Sequence, residues 1–296
     1  MFRKLYYLIT VALAACAFTA RANLTHQYSF NDGTVNDSVG GANGTLVDGA
    51  LAGSPTVSGG QLVLNNPGFS GPSSSANCLS LPVSILPSSG SVTIEEWFTF
   101  TGSGFFTEAY AFGTAAPGAN TGQYLMGVIS APQGGPVPSG GGSHISQTLA
   151  GYAGGETDAY GTTPGLGAGG GGYLDDGGTY MLATVIDGGA GTLSYYLYRA
   201  SDGLGGLQQT ITAIPLSSYS FTQAFLGRSD FDPDNATSGS VDEFRIYDNA
   251  QSATAIAADF AAGPNTVIPV PEPASLTLLG LSGLALFLRR RSSAIS

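Results

Sequence analysis

Apolar and polar residues alternate with a period of two in short segments along most of the chain. This period is typical of β-strands that bury one face, and turns rich in glycine or aspartate separate the segments. The pattern predicts strands over residues 25–30, 61–64, 78–81, 91–100, 110–113, 123–129, 179–186, 192–198, 218–226 and 240–247. About ten strands with almost no helix indicate an all-β fold, and we predict a jelly-roll β-sandwich.

One short helix is predicted near the end of the sandwich, over residues 252–260. Ser252 is a suitable N-cap, and Ile256 and Phe260 share a helix face because they are four residues apart. A linker is predicted to follow over residues 261–269.

The N-terminus has the three parts of a secretory signal peptide, which we assign to residues 1–22. Two basic residues precede an apolar stretch over residues 5–18, and Ala20 and Ala22 form an A-x-A cleavage site. The residues up to Cys16 also fit a lipobox, so a lipidated Cys16 is the alternative. In either case the chain is exported.

The C-terminus has the physical character of a short membrane anchor with a single hydrophobic helix. Residues 274–288 carry no charge, and as a helix they would span about 22 Å, against roughly 30 Å for the hydrocarbon core of a bilayer. Three arginines follow and remain cytoplasmic by the positive-inside rule, so the bulk of the chain lies outside. Pro271 and Pro273 prevent the helix from extending upstream.

The order of these parts, a Pro-Glu-Pro motif, an apolar segment and terminal arginines, resembles the PEP-CTERM sorting signal over residues 270–296. The resemblance implies cleavage by an exosortase-type membrane protease and only transient anchoring in the inner membrane. It further implies a final location at the cell surface or in the extracellular matrix, in bacteria that make exopolysaccharide. The residues that carry the signal are Pro271, Glu272, Pro273, Arg289, Arg290 and Arg291.

The exported part is strongly acidic once both ends are set aside. Between residues 23 and 270 the chain has three arginines, no lysine and nineteen acids, a net charge of −16. Nucleic acid is excluded as a partner because phosphate binding requires a basic surface. Metal cations, neutral glycans and cationic surfaces remain open. Cys78 is the one cysteine of this region, and we predict a buried structural thiol.

Six segments match a known family in order and spacing, namely residues 26–33, 36–40, 44–46, 91–97, 226–229 and 239–247. They resemble the LamG-like jelly roll of the concanavalin A-like lectin/glucanase superfamily, over a domain that spans residues 23–260. The resemblance implies the fold, but it says little about activity because one fold supports many functions.

Five aspartates are candidate ligands for calcium, which prefers carboxylate and carbonyl oxygens. Three alternate within one turn, one lies in the opening loop and one begins the closing strand. The LamG-like resemblance also implies calcium. The alternative is that these aspartates cap loops and turns. The candidates are Asp32, Asp230, Asp232, Asp234 and Asp242.

A glycoside hydrolase is the main enzymatic alternative, since the superfamily contains glucanases. Such an enzyme needs two carboxyl groups about 5–10 Å apart across a cleft. Glu95 and Glu96 are neighbours on one strand and therefore point to opposite faces. The glutamate that points inward is expected to pair with Arg228 or Arg245. The E-x-D-x-E pattern of the glucanase branch is missing, and we predict no catalytic residues.

Exposed aromatic rings beside polar loops are the usual elements of a glycan-binding rim. Two stretches rich in glycine, 131–142 and 161–172, are predicted to be rim loops, and Tyr152, Tyr160 and Tyr173 lie in or near them. The sequence predicts a non-enzymatic, exported carbohydrate-binding or adhesive protein. A passive structural protein of the matrix and a glycoside hydrolase remain alternatives.

Overall fold

The computed structural model describes residues 23–50, 53–66, 72–101, 107–114, 122–130, 144–148, 157–160, 174, 176–212 and 215–268. The strands are β1 (Leu24–Tyr28), β2 (Thr45–Val47), β3 (Thr56–Ser58), β4 (Gln61–Leu64), β5 (Cys78–Ser80), β6 (Val92–Thr101), β7 (Thr107–Gly113), β8 (Tyr124–Ser130), β9 (His144–Thr148), β10 (Thr157–Tyr160), β11 (Asp176–Asp187), β12 (Thr192–Arg199), β13 (Gly205–Thr212), β14 (Gln223–Leu226) and β15 (Gly239–Tyr247). Helix α1 spans Ala253–Ala262, and short 3-10 helices span Ser73–Ser75, Val83–Ile85 and Leu216–Ser218.

The strands form two antiparallel sheets. Sheet A has the order β13-β12-β11-β6-β15-β4-β3, and sheet B has the order β10-β9-β8-β7-β14-β5-β2. In sheet A, β6 pairs with β15 along its length, while β4 and β1 pair with the first and second parts of the other edge of β15. Because β1 is the first strand and β15 the last, their pairing joins the two ends of the strand order.

The core lies between the facing sides of the two sheets and consists of aromatic and aliphatic side chains. Phe98 stacks on Phe100 with ring centroids 4.6 Å apart. Tyr110 of sheet B lies 5.9 Å from Phe244 of sheet A, so aromatic contacts also bridge the sheets. Alternate residues of the long strands, such as β6, β11, β12 and β15, fill this core, as the period of two predicts. The predicted jelly-roll β-sandwich is confirmed.

The central outer face of sheet A is covered by α1. Ile256 is buried against the cluster that contains Trp97, and Phe260 stacks on Tyr198 with ring centroids 4.5 Å apart. Ser252 caps the helix by accepting a hydrogen bond from a backbone N–H of the first turn, as predicted. Sheet A is therefore packed on both faces at its centre.

Residues 263–268, here called the C-terminal strap, remain on the sandwich after α1 ends. Asn265 donates its backbone N–H to the Glu243 carboxylate, and the Thr266 carbonyl accepts a hydrogen bond from Arg245 at 3.1 Å. Asn265 and Thr266 of the predicted linker therefore contact sheet A, while the linker over residues 261–269 stays a prediction. The glycine and proline after α1 indicate where the helix ends, but not that the next residues dock on the sheet.

Each predicted strand overlaps an observed one. The strand predicted over residues 218–226 is too long, because a 3-10 helix occupies Leu216–Ser218 and β14 begins at Gln223. The sequence did not predict β2, β3, β9, β10 and β13. Four of these five have three to five residues, which is too short for alternation to be recognised.

Both ends of the chain lie outside the described residues. The signal peptide over residues 1–22, its cleavage residues Ala20 and Ala22, the alternative at Cys16 and the hydrophobic helix of the tail stay predictions. In the part that the structure describes, no helix has the length and apolar character that crossing a bilayer requires.

Asp37 organises the loop between β1 and β2. Its buried carboxylate lies 2.6 Å from His26 Nδ1. Burial opposes ionisation, but hydrogen bonds outweigh it and hold the pKa of this carboxyl below its usual value. The backbone N–H donors, at 3.0 to 3.1 Å, belong to Gln27, Val39, Gly40 and Ala42.

Asp37→Asn is expected to lower the free energy of unfolding at pH 7 by about 2 kcal/mol, because the amide loses the charge that these donors stabilise. Urea unfolding measures the change. Since the folded pKa of Asp37 is lowered, its contribution is present above about pH 4 and fades as the pH falls through the folded pKa. Asp48→Asn, at an exposed aspartate bonded to Ser54, is the control and should leave the midpoint unchanged. Equal losses in the two variants would contradict this role.

Candidate functional site

Two adjacent glutamates of β6 are fully buried on opposite faces of sheet A. Glu96 faces the core between Leu182 and Phe244 of the neighbouring strands. Neither of its carboxyl oxygens has a hydrogen-bond partner within the described residues. Burial raises the pKa of Glu96 well above its usual range. A carboxyl enclosed in the core cannot reach a substrate.

Glu95 lies on the outer face of sheet A, and burial also raises its pKa well above the usual range. Tyr247 donates a hydrogen bond to Glu95 at 3.3 Å, and Arg245 Nη1 lies 3.9 Å from Glu95 Oε2. The expectation that the inward glutamate pairs with Arg228 or Arg245 is therefore wrong. The outward glutamate is the one beside Arg245, because the alternation of β6 puts Glu96 on the other face.

Arg245 is the centre of a buried polar network. Its Nε donates to Glu243 at 2.6 Å, and its guanidinium carbon lies 4.5 Å from the centroid of the Trp97 ring. The Gln27 side chain also donates to Glu243. The network joins β1, β15 and the C-terminal strap, so it holds that strap on sheet A.

The outer face of sheet B is the second surface of interest. It is covered at β8, where Phe231 of the β14–β15 loop packs on Tyr124 with ring centroids 4.9 Å apart. It is more open towards β2, where Ser80 is half-buried and Thr45 is exposed. Register aligns one row of residues across β8, β7, β14, β5 and β2, here called the outer row: Met126, Ala111, Phe225, Ser80 and Thr45.

A buried acidic cluster lies where the β14–β15 loop meets sheet B. Asp234 accepts a hydrogen bond from Ser229 at 2.6 Å, and Asp230 accepts one from the Gln223 side chain. Glu108 of β7 is 2% exposed, and its Oε2 has no hydrogen-bond partner within the described residues. Burial and the charge of Asp234 raise the pKa of Glu108 well above its usual range, and burial raises the pKa of Asp234 to about 6. The cluster therefore favours protonated carboxyls.

The five aspartates predicted to bind calcium do not form one site. Asp32 accepts hydrogen bonds within its own turn, and Asp242 binds two side-chain amides. Asp232 accepts a backbone N–H of the 3-10 helix beside it at 2.7 Å, while Asp230 and Asp234 belong to the acidic cluster. Among the described residues no three carboxylate, histidine or cysteine groups converge as metal ligands. Asp32 and Asp232 accept backbone N–H groups of turns, as the loop-capping alternative predicts. Calcium binding stays a prediction.

Arg228 lies over the outer row. Its guanidinium carbon is 4.0 Å from the centroid of the Phe225 ring, and its Nε donates to the Ser229 carbonyl at 3.3 Å. Cys78 is buried beside it, and burial raises the pKa of that thiol to about 11. Cys78 is therefore buried, as the sequence predicts, and its raised pKa disfavours the reactive thiolate.

The tyrosines predicted for glycan binding lie mostly outside the described residues. Tyr152 and Tyr173 are not described. Tyr160 ends β10, the edge strand of sheet B, where it pairs with His144 of β9. The glycan-binding role of these tyrosines stays a prediction.

A model of the PEP-CTERM protein-sorting motif matches residues 269–291. The chain carries a PEP-CTERM sorting motif. The motif implies export and sorting to the cell surface or extracellular space, and the sequence-based identification of the tail is confirmed. No curated protein matches the sequence.

Solved structures resemble the sandwich that precedes the PEP-CTERM motif. Domain 4 of AbnA, an extracellular GH43 arabinanase of Geobacillus stearothermophilus, in complex with arabinotriose, has a TM-score of 0.54 and 20% identity, over 79% of this chain and 96% of that one. The Ruminococcus gnavus IT-sialidase CBM40 bound to alpha2,3 sialyllactose has a TM-score of 0.45 and 12% identity, over 67% of this chain and 94% of that one. The first similarity supports the jelly-roll fold.

Sequence reasoning missed Glu108 and the hydroxyls of the outer row in the domain that precedes the PEP-CTERM motif. Bulges on both sides of Glu108 decide which face it occupies, and alternation alone does not reveal them. Ser80 and Thr45 become neighbours only through the β2–β5 pairing, and β2 is one of the strands that the sequence did not predict.

Glu96→Gln is expected to raise the free energy of unfolding at neutral pH. The neutral amide has the same shape but removes the free-energy cost of either holding the buried carboxyl protonated or ionising it. Since the folded pKa is raised, wild type has no such cost below about pH 4 and loses stability as the pH rises towards the folded pKa. Urea unfolding from pH 4 to pH 8 should therefore show a gap between variant and wild type that widens with pH. A gap that is constant or narrows would contradict a buried neutral Glu96.

Proposed function

We propose that the exported domain of this PEP-CTERM protein is a non-enzymatic carbohydrate-binding module, and that the outer face of sheet B binds the glycan. The observation that carries the proposal is the unequal covering of the two sheets. The centre of sheet A is sealed by α1, whereas the outer face of sheet B keeps the half-buried Arg228 and Ser80 and the exposed Thr45 beside the buried ring of Phe225. An aromatic ring beside a few convergent polar groups is the usual composition of a ligand site. Domain 4 of AbnA, which shares the fold, was solved with arabinotriose.

The buried state of the carboxyl pairs argues against hydrolysis. Glycoside hydrolysis requires two carboxyl groups that flank an accessible sugar. Glu95 and Glu96 are fully buried on opposite faces of sheet A, and Glu108 is enclosed in the acidic cluster. Hydrolysis is kept as the second candidate because Glu108 and Asp234 are neighbouring carboxyls with raised pKa values, the property of a general acid.

Calcium enters the proposal only as an experimental variable, because the described aspartates do not supply three converging carboxylates. The strong net negative charge still attracts divalent cations in general. Binding should therefore be compared in calcium and in a chelator.

The tail gives the module its destination. We propose that residues 274–288 hold the chain briefly in the inner membrane, that Arg289, Arg290 and Arg291 stay cytoplasmic, and that an exosortase-type protease cuts near Pro271 and Pro273. The PEP-CTERM match and the positive-inside rule support this order of events. The released module would then meet the exopolysaccharide of the cell that made it.

A glycan array probed with the full chain in detergent, with calcium and with chelator, should show at least one bound glycan class. Thr45→Trp places a bulky ring on the outer row and should abolish that binding by steric exclusion. Thr56→Trp, at an exposed threonine of the equally short edge strand β3 in sheet A, is the matched control and should bind as wild type does. No binding in either condition would favour a passive structural protein, and release of reducing ends would favour the hydrolase.

Replacing Pro271, Glu272 and Pro273 together by alanine should trap the protein in the membrane fraction at its uncut mass, because the protease loses its recognition motif. Fractionation of the native host and mass spectrometry of the C-terminus measure this. Leu279→Ile in the apolar segment is the control and should be processed normally. A motif variant that is still released at the wild-type mass would contradict cleavage at this motif.

A further inference from the structure

We infer that Arg228, with the hydroxyls of Ser80 and Thr45, binds the carboxylate-bearing sugar of an acidic glycan of the uronic acid type. This inference rests on the proposed carbohydrate-binding function and names the chemical class of its ligand.

The charge of the described domain singles out Arg228. Arg199 Nη2 lies 2.6 Å from the carboxylate of Asp202, and Arg245 Nε lies 2.6 Å from that of Glu243. Arg228 has no carboxylate partner in the part of the chain that the structure describes. In a region with a net charge of −16 and no lysine, it is the described cation left to meet an anionic group.

The surroundings of Arg228 fix its guanidinium in place. Its carbon lies 4.0 Å above the Phe225 ring centroid, and its Nε is used by the Ser229 carbonyl. Among the described residues the two Nη groups have no hydrogen bond to a carboxylate, although the Cys78 thiol lies beside the guanidinium. The side chain is half-buried. A guanidinium stacked on an aromatic ring keeps its donors in a fixed fork, which matches the two oxygens of a carboxylate.

Two hydroxyls extend the site along the outer row. Ser80 pairs with Phe225, and Thr45 pairs with Ser80, so the three side chains lie on one face at a spacing of about 5 Å. Within the described residues neither hydroxyl has a hydrogen-bond partner. A sugar ring beside the guanidinium would offer its own hydroxyls at this spacing.

The net negative charge of the domain also limits how much negative charge the ligand can carry. A dense polyanion would be repelled by the acidic domain beyond the contact, whereas one carboxylate at the guanidinium gains the direct ion pair. Oligosaccharides with few uronic acids therefore fit better than highly charged polymers. A sulfate ester offers the same oxygens to the fork, and the experiment separates the two anions.

The test measures binding of trigalacturonate by the full chain in detergent, by calorimetry. Its fully methyl-esterified form is the neutral ligand of the same size, and a sulfated galactose trimer is the other anion. Arg228→Gln should weaken trigalacturonate binding by at least about tenfold and leave the methyl ester unchanged. Arg228→Lys keeps the charge but not the fork, and it should restore only part of the affinity.

Two further variants keep the test independent of folding. Ser80→Ala should weaken both the acid and the ester, since it removes a contact to the sugar ring. Arg199→Gln, at the arginine paired with Asp202, is the control and should change neither. Thermal melting of each variant confirms that Arg228→Gln is folded before its affinity is interpreted.

The inference would be overturned if Arg228→Gln bound trigalacturonate as tightly as wild type does. It would also be overturned if wild type bound trigalacturonate and its methyl ester equally well. Tighter binding of the sulfated trimer than of trigalacturonate would overturn its assignment to a carboxylate. If wild type binds neutral glycans but not trigalacturonate, the inference falls and the proposed function stands. If wild type binds no glycan at all, the proposed function falls and the inference falls with it.

Discussion

The scarcity of positive charge governs how this domain buries its acids. Three arginines face nineteen acids between residues 23 and 270, so few buried carboxylates can be neutralised by a cation. Asp37 is stabilised by backbone N–H groups, and Glu243 forms an ion pair with Arg245. Glu96 and Glu108 have oxygens without partners in the described chain, and their raised pKa values favour the neutral acid. An ionised carboxylate that is buried without a partner would cost several kcal/mol of folding free energy, so these groups are expected to stay protonated.

This constraint also shapes the surface. Arg245 is bound within the network that holds the C-terminal strap, and α1 covers the same outer face of sheet A. Arg228 is instead placed over Phe225 on sheet B, without a carboxylate partner among the described residues. The outer row, which α1 does not cover and where Arg228 lies, is therefore the surface that we propose for glycan binding.

Alternation predicts the fold where a strand is long and has one buried face. The strands β6, β11, β12 and β15 are found close to their predicted limits because their alternate residues fill the core. Short edge strands such as β2 carry too few residues to show a period, although β2 supplies Thr45 to the outer row. The sequence also identifies the tail correctly, because its three parts are contiguous.

The candidate site could not be predicted in the same way, because its parts meet only in the folded chain. The aspartates that suggest calcium are close in sequence, yet each is taken by a different hydrogen-bond donor. The partners of Glu95 and Arg245 depend on which face of β6 and β15 each residue occupies, and the register of three strands decides that. The sequence shows that arginines are few, but it does not show which of them lacks a carboxylate partner among the described residues.

A crystal structure of the protein with a bound uronic acid oligosaccharide tests the central claim most directly. We expect the sugar on the outer face of sheet B, with its carboxylate within hydrogen-bond distance of the Arg228 Nη groups and its ring beside Ser80 and Thr45. A sugar bound at Tyr152 and Tyr173, with Arg228 untouched, would contradict it.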